Sequence, residues 1–282
     1  KISCEAFLAR LHKDGQEYFA QVEKGKKGKV RHGEKCLGIT LRPTLEQLRD
    51  EERLVLEYAA LLPADHVPLP WLRALVSKEF PECGQDAEIG LSDPWLDVVR
   101  RLLSLRLLQE TGVLDSAGNP LVVRMHRLVG DVVRHGLDKG RLEQRKELLD
   151  ELTVERTNFL GENWLRAENR WELTPLVTMA DLGMDKGDPL ATDLVLALSS
   201  TLFSIGQYRI VRRLLACCLN VLVQSPESDH TDLALAHNNL GEVERALGNF
   251  PEAREHVEQA LAILERSLEP SHPNLGTAHN SL

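Results

Sequence analysis

Apolar side chains in the last third of the chain recur at three- and four-residue steps and predict a series of short amphipathic helices. Over 231–246, Leu233, Ala236, Leu240 and Val243 form one stripe, and Leu247 continues it. Gly248-Asn249 stops this helix, because both residues tolerate the positive φ of a helix end. Pro251 suits a first helical turn, and a second stripe follows over 251–268 through Ala253, Val257, Ala260, Leu261 and Leu264. The pattern repeats at a spacing of 42 residues. Ala236-His237-Asn238-Asn239-Leu240 returns as Ala278-His279-Asn280-Ser281-Leu282, and Leu247-Gly248-Asn249-Phe250 maps back onto Ile205-Gly206-Gln207-Tyr208. His272-Pro273, His230-Thr231 and Asp188-Pro189 mark the joins. A period of this length implies stacked helix pairs, none able to bury its apolar face alone.

Leu240-Gly241, Ala253 and Ala260 sit where a tetratricopeptide (TPR) unit has its small and apolar residues. The unit length and the Asn-Asn-Leu-Gly stretch resemble the kinesin-light-chain subtype. The sequence stops inside the first helix of a third unit, which implies a fragment of a longer protein. The resemblance implies an α-α superhelix over 188–282 whose first helices line a concave face. By register, that face takes Asn238, Glu242 and Arg245 from the complete unit, Asp193 and Ser200 before it and Asn280 after it. An exposed asparagine pairs with a peptide backbone as both donor and acceptor. Glu242 and Arg245, three apart, are also placed to pair with each other.

The first half is patterned differently. A helix over 3–23, capped by Ser3 and carrying Phe7, Leu8 and Leu11, runs into a Gly/Lys loop at 24–29. That loop lacks the GxxxxGKS/T spacing of a phosphate-binding loop. The periodicity then predicts a long helix over 44–62, a short one after Pro70, and a third from Pro94 through Leu107-Leu108 to Gly112. Val113-Leu114, a turn at 115–120 and 121–125 predict a β-hairpin, with a helix over 126–137 behind it. Two further helices, over 141–154 and 165–182, predict a bridge at 141–187 in which Trp164 and Trp171 share a packed face.

Three helices, a hairpin and a closing helix resemble the winged-helix segment of STAND-type NTPases, the NB-ARC and NACHT switch proteins. Leu54 to Pro63, the leucine-rich helix over 98–112, and Met125-His126-Arg127-Leu128-Val129 carry the likeness. The last of these is similar to the family's Met-His-Asp motif, with Arg127 in place of the acidic residue, facing either nucleotide or solvent. The resemblance implies the end of a helical domain at 1–43, a winged helix at 44–140, the bridge at 141–187 and the TPR array at 188–282. The fold class is therefore mostly α with a small hairpin. It also implies that His126 donates to the ADP β-phosphate in the parent protein. ADP or ATP with Mg would then be held by a nucleotide-binding domain N-terminal to Lys1, and this segment has no cofactor of its own. A histidine at a strand–helix junction also serves as a simple helix cap.

Composition narrows the function. Residues 141–282 hold 13 basic and 22 acidic side chains, a net of −9, which argues against nucleic acid on the repeats. Residues 1–140 hold 21 of each sign. The helix at 92–110 balances Arg100, Arg101 and Arg106 against Asp93, Asp97 and Glu110, a poor DNA-reading surface. No apolar run reaches the length of a membrane span. Cys4, Cys36, Cys83, Cys217 and Cys218 show no CxxC spacing and read as reduced cytoplasmic thiols. No metal-ligand or nucleophile–base spacing stands out, so the chain reads as a non-enzyme. The leading expectation is a sensor region of a STAND ATPase in bacterial defence, cell death or transcription. It would take a protein or peptide on the TPR face, pack on its own nucleotide-binding domain and permit oligomerisation on activation. The alternative is a stand-alone TPR adaptor.

Overall fold

The computed structural model describes residues 41, 43–85, 93–163, 165–224 and 230–267. The expected helix at 3–23, the Gly/Lys loop, Trp164 and Asn280 lie outside the described residues. The fold is mostly α, with one small three-stranded sheet. The chain divides into two compact units between residues 149 and 150.

In the first unit the expected helix at 44–62 breaks in two. Residues 43–46 make a helical turn, and α1 runs only Asp50–Ala59. Glu52 causes the break, because its buried carboxylate accepts from the Arg49 backbone N–H at 3.0 Å and starts a new helix there. The same carboxylate pairs with Arg101 at 3.2 Å, on helix α3 (Pro94–Ser104). Helix α2 (Leu69–Val76) buries Trp71, Leu72, Leu75 and Val76, and Leu54, Val55 and Tyr58 of α1 are equally buried.

Helix α3 starts on the Asp93 carboxylate, which accepts from Trp95 N–H at 2.9 Å, with Pro94 in the first turn. It ends at Ser104, well before the expected Gly112. Arg106 takes a positive φ of 60°, Arg106 N–H donates to Leu103, and Leu107 N–H donates to Leu102. That is a Schellman stop made without glycine. It releases Leu107-Leu108 from the helix, and strand β2 (Leu108–Glu110) begins there.

The sheet order is β1-β3-β2, antiparallel throughout, with β1 at Val67–Pro68 and β3 at Val122–Met125. The expected hairpin partner, Val113-Leu114, makes only an isolated bridge from Leu114 to Pro120; Leu108, Gln109 and Glu110 take its place against β3. β1 carried no sequence signal, since a two-residue strand is too short to show a period. Helix α4 (Arg127–Gly136) follows β3 directly.

Helix α5 (Lys139–Glu162) begins in the first unit and continues into the second as one helix, where the sequence suggested a break after 154. In the first unit Arg145 is buried with Glu57 and Tyr58; its Nε lies 3.3 Å from Glu57, and its guanidinium also pairs with Glu79. Helix α6 (Leu173–Lys186) opens the antiparallel stack of the second unit, joined by α7 (Pro189–Ser204), α8 (Tyr208–Gln224), α9 (His230–Leu247) and α10 (Phe250–Ser267). The boundaries of α9 and α10 match the periodicity, and Ala236, Leu240, Val243, Ala253, Val257, Ala260, Leu261 and Leu264 are all buried.

The spacing of 42 is a structural period as well as a textual one. Gly206 (φ 77°) and Gly248 (φ 85°) end α7 and α9 identically. Gly206 N–H donates to Phe203 and Gln207 N–H to Leu202; Gly248 N–H donates to Arg245 and Asn249 N–H to Glu244. Among the described residues no helix is long and apolar enough to cross a membrane.

Candidate functional site

The 42-residue period sets α7 and α9 as the first helices of successive units, and a cleft of about 260 Å³ opens between them. Its apolar wall is Phe203, Val211 and Val243. Its polar rim is Ser199, Ser200, Ser204, Asn239 and Glu242. Phe203 is held by an edge-on contact with Tyr208, ring centroids 5.1 Å apart. That contact spans the turn at Gly206, whose positive φ folds α8 back against α7.

Hydrogen bonding sets the polarity of the rim. Ser199 donates its hydroxyl to Leu196 O at 2.7 Å, and Ser200 donates to Ala197 O at 3.3 Å. Their protons are committed to the helix, so their oxygens face the cleft as acceptors. Asn239 Nδ2 uses one of them, donating to Ser199 Oγ at 3.0 Å. Glu242 is half-buried, and among the described residues it has no ion-pair partner. Among the described residues no lysine, arginine or histidine lines the cleft.

The expected partner-facing residues divide. Ser200 and Glu242 come together on the cleft, as their equivalence at 42 implies. Asp193 and Arg245 are exposed and do not line it, and Arg245 makes no ion pair with Glu242. Asn238 is half-buried, with a buried Oδ1 that has no hydrogen-bond partner; its neighbour Asn239 takes the cleft position. Phe203, Ser199 and Asn239 were not singled out from sequence. A usable signal existed: Ser199 falls 42 residues before Gly241, so both mark a small position beside a neighbouring helix.

Two buried polar features close the stack. Glu244 is buried and held by Arg212 of α8 at 2.8 Å and by Asn249 Nδ2 at 2.5 Å. Cys218 is buried in α8, and burial pushes its thiol up to about 12, which leaves it unreactive.

In the first unit His126 caps α4. Its Nδ1 accepts from Leu128 N–H at 3.3 Å, and the residue is exposed. An accepting Nδ1 places the neutral ring's proton on Nε2, which is then a donor. Arg127, beside it, is also exposed. Among the described residues no group of three or more His, Cys, Asp or Glu could hold a metal ion.

Stacked antiparallel helix pairs with a small-residue seam define an α-α repeat region. The tetratricopeptide repeat family model matches residues 193–266 and again 232–282. The C-terminal third is therefore a TPR region, a kind of helical repeat that binds other proteins. No curated protein and no solved structure gives a significant match to the chain.

Proposed function

We propose that this chain is the regulatory and sensor region of a STAND-type signalling ATPase, with the TPR region as receptor for a protein or peptide trigger. The supporting observation is the succession Met125-His126-Arg127 at a strand–helix junction, behind three helices and a small sheet and ahead of the repeats. Because Nδ1 is occupied by the α4 cap, the exposed imidazole keeps Nε2 as a donor for a phosphate oxygen. In this reading a neighbouring nucleotide-binding domain supplies ADP, and His126 biases the closed state. A charge-assisted hydrogen bond of about 1.5–3 kcal/mol shifts a two-state equilibrium by roughly ten- to a hundredfold. A trigger seated between α7 and α9 then favours the open state, to the extent that it binds that state better.

The test is nucleotide retention by the full-length gene product. Purified protein should carry ADP, and His126→Ala should weaken its retention by at least tenfold while leaving the helical circular dichroism unchanged. A gene with no GxxxxGKS/T sequence ahead of this region would sink the proposal.

A second reading, a stand-alone interaction adaptor in a cytoplasmic setting, is favoured by the family match lying on the repeats alone. It differs in one measurable respect: partner affinity would be the same with ADP, with ATP or with neither.

A further inference from the structure

We infer that the cleft between α7 and α9 takes a basic side chain, lysine or arginine, from an extended peptide segment of the partner. The inference rests on the reading of this face as a peptide groove and specifies which peptides it selects.

Three observations carry it. The first is the direction of the hydrogen bonds. Ser200 donates its proton to Ala197 and Glu242 is a carboxylate, so the rim offers acceptors at these two positions, while the Ser199 oxygen already accepts from Asn239. A ligand group seated between Ser200 and Glu242 must donate.

The second is charge. Among the described residues Glu242 is the one charged side chain on the cleft, and no cation offsets it. A carboxylate beside an apolar wall gains most from a cation that shares its partial shielding from water. The surrounding sequence has the same sign: residues 141–282 carry a net −9. An acidic peptide would meet repulsion both in the cleft and on approach to it.

The third is shape. About 260 Å³ is smaller than the roughly 300–1,000 Å³ typical of small-molecule sites, which suits one long side chain better than a whole metabolite. Phe203, Val211 and Val243 supply apolar surface for an aliphatic stem, and the Phe203 ring adds a face or edge for a guanidinium. Lysine and arginine each combine a stem of this kind with a cationic, donor-only head.

The test uses a random dodecapeptide display library selected against the whole chain. The recovered peptides are then synthesised with each basic residue replaced by Gln or Glu. Selected peptides should share a Lys or Arg whose replacement by Gln weakens binding at least tenfold. Glu242→Gln in the protein should cost a similar factor and make the replacement in the peptide silent. Glu242→Arg should turn the preference toward peptides with Glu at that position. Phe203→Ala, away from the charge, should weaken all selected peptides and so locate them on this cleft.

If peptides sensitive to Phe203→Ala bind Glu242→Gln at full strength, or carry an acidic anchor, the basic-anchor inference falls and the peptide-groove reading stands. If no peptide is recovered, or none responds to Phe203→Ala, both fall. Circular dichroism of each variant confirms that the helices remain formed.

Discussion

His237 Nδ1 on α9 and His256 Nδ1 on α10 lie 3.2 Å apart across one helix pair, with ring centroids 5.4 Å apart. At that distance one ring donates and the other accepts, so the pair accommodates a single shared proton and resists a second. Burial, and then the neighbouring His256, holds His237 down at about 4, against an ordinary 6.5. The folded pKa lies below the unfolded one, so between these values the unfolded chain binds a proton that the folded chain refuses. Stability of the second unit should therefore fall as pH drops from 6.5 toward 4 and level off below that. The loss should be about 1–2 kcal/mol once partial solvent screening is allowed for. Urea melts at pH 7 and pH 5 measure it, and His237→Gln should flatten the difference. A His237 imidazole resonance titrating near 6.5 would refute the expectation.

Gly206 and Gly248 should be equally costly to replace. Both sit in the left-handed region, and a Cβ on either would meet nothing within 4 Å. The penalty is then backbone strain alone, about 1 kcal/mol for alanine. Thermal melts of Gly206→Ala and Gly248→Ala should show matching destabilisation. A markedly larger effect at one site would mean that the two turns are not structural equivalents.

Gly241 should behave differently, because its constraint is contact. A Cβ there would lie 2.8 Å from Val257 Cγ2 and 3.1 Å from the Ala253 carbonyl oxygen, so α9 and α10 must separate to admit it. Gly241→Ala should cost about 1–3 kcal/mol. Combined with Val257→Ala, it should show a favourable coupling of at least about 0.5 kcal/mol in a double-mutant cycle, since only the side-chain part of the clash is relieved. Strict additivity would show that the helices do not pack here as described.

Arg145 should be the most sensitive surface-to-core position of the first unit. Its guanidinium is shared by Glu57, Glu79 and Tyr58, and Glu57 is itself buried. Arg145→Ala removes one of two arginines from the buried Glu57, which keeps Arg141 at 3.0 Å, so the loss should be about 1.5–3 kcal/mol. Arg145→Lys should restore only part of it, since one ammonium cannot reproduce the planar contacts to two carboxylates. Equilibrium denaturation of the two variants checks both expectations, and an Arg145→Ala protein within 1 kcal/mol of the parent would contradict the network's role.

The repeats were legible in the sequence and the helix-rich first half only partly so. α9 with its stop at Gly248, and α10 after it, follow from local signals: an apolar stripe, a residue that accepts positive φ, a proline in a first turn. The errors fall where a local rule was met by the wrong residue. Leu107 and Leu108 continue the helical stripe of α3, yet Arg106 adopts positive φ and turns them into the sheet. Glu52 restarts α1 inside a stretch whose periodicity reads as unbroken. Of the candidate groove residues, Ser200 and Glu242 reach the cleft, whereas Asp193, Asn238 and Arg245 do not line it. A helix face tens of degrees wide is visible in a sequence; which of two adjacent asparagines points along it is not.

By itself the sequence determined the period, the class of element within each period and the places where helices stop, because these depend on interactions spanning a few residues. Tertiary structure alone decided which residues meet. It paired β3 with β2 and β1 where the sequence suggested Val113-Leu114, set Asn239 against Ser199, and placed Glu242 on an apolar wall without a cation. Each outcome turns on how distant helix faces and strand edges settle against one another, and a few ångströms of packing, invisible in a hydropathy pattern, choose among them.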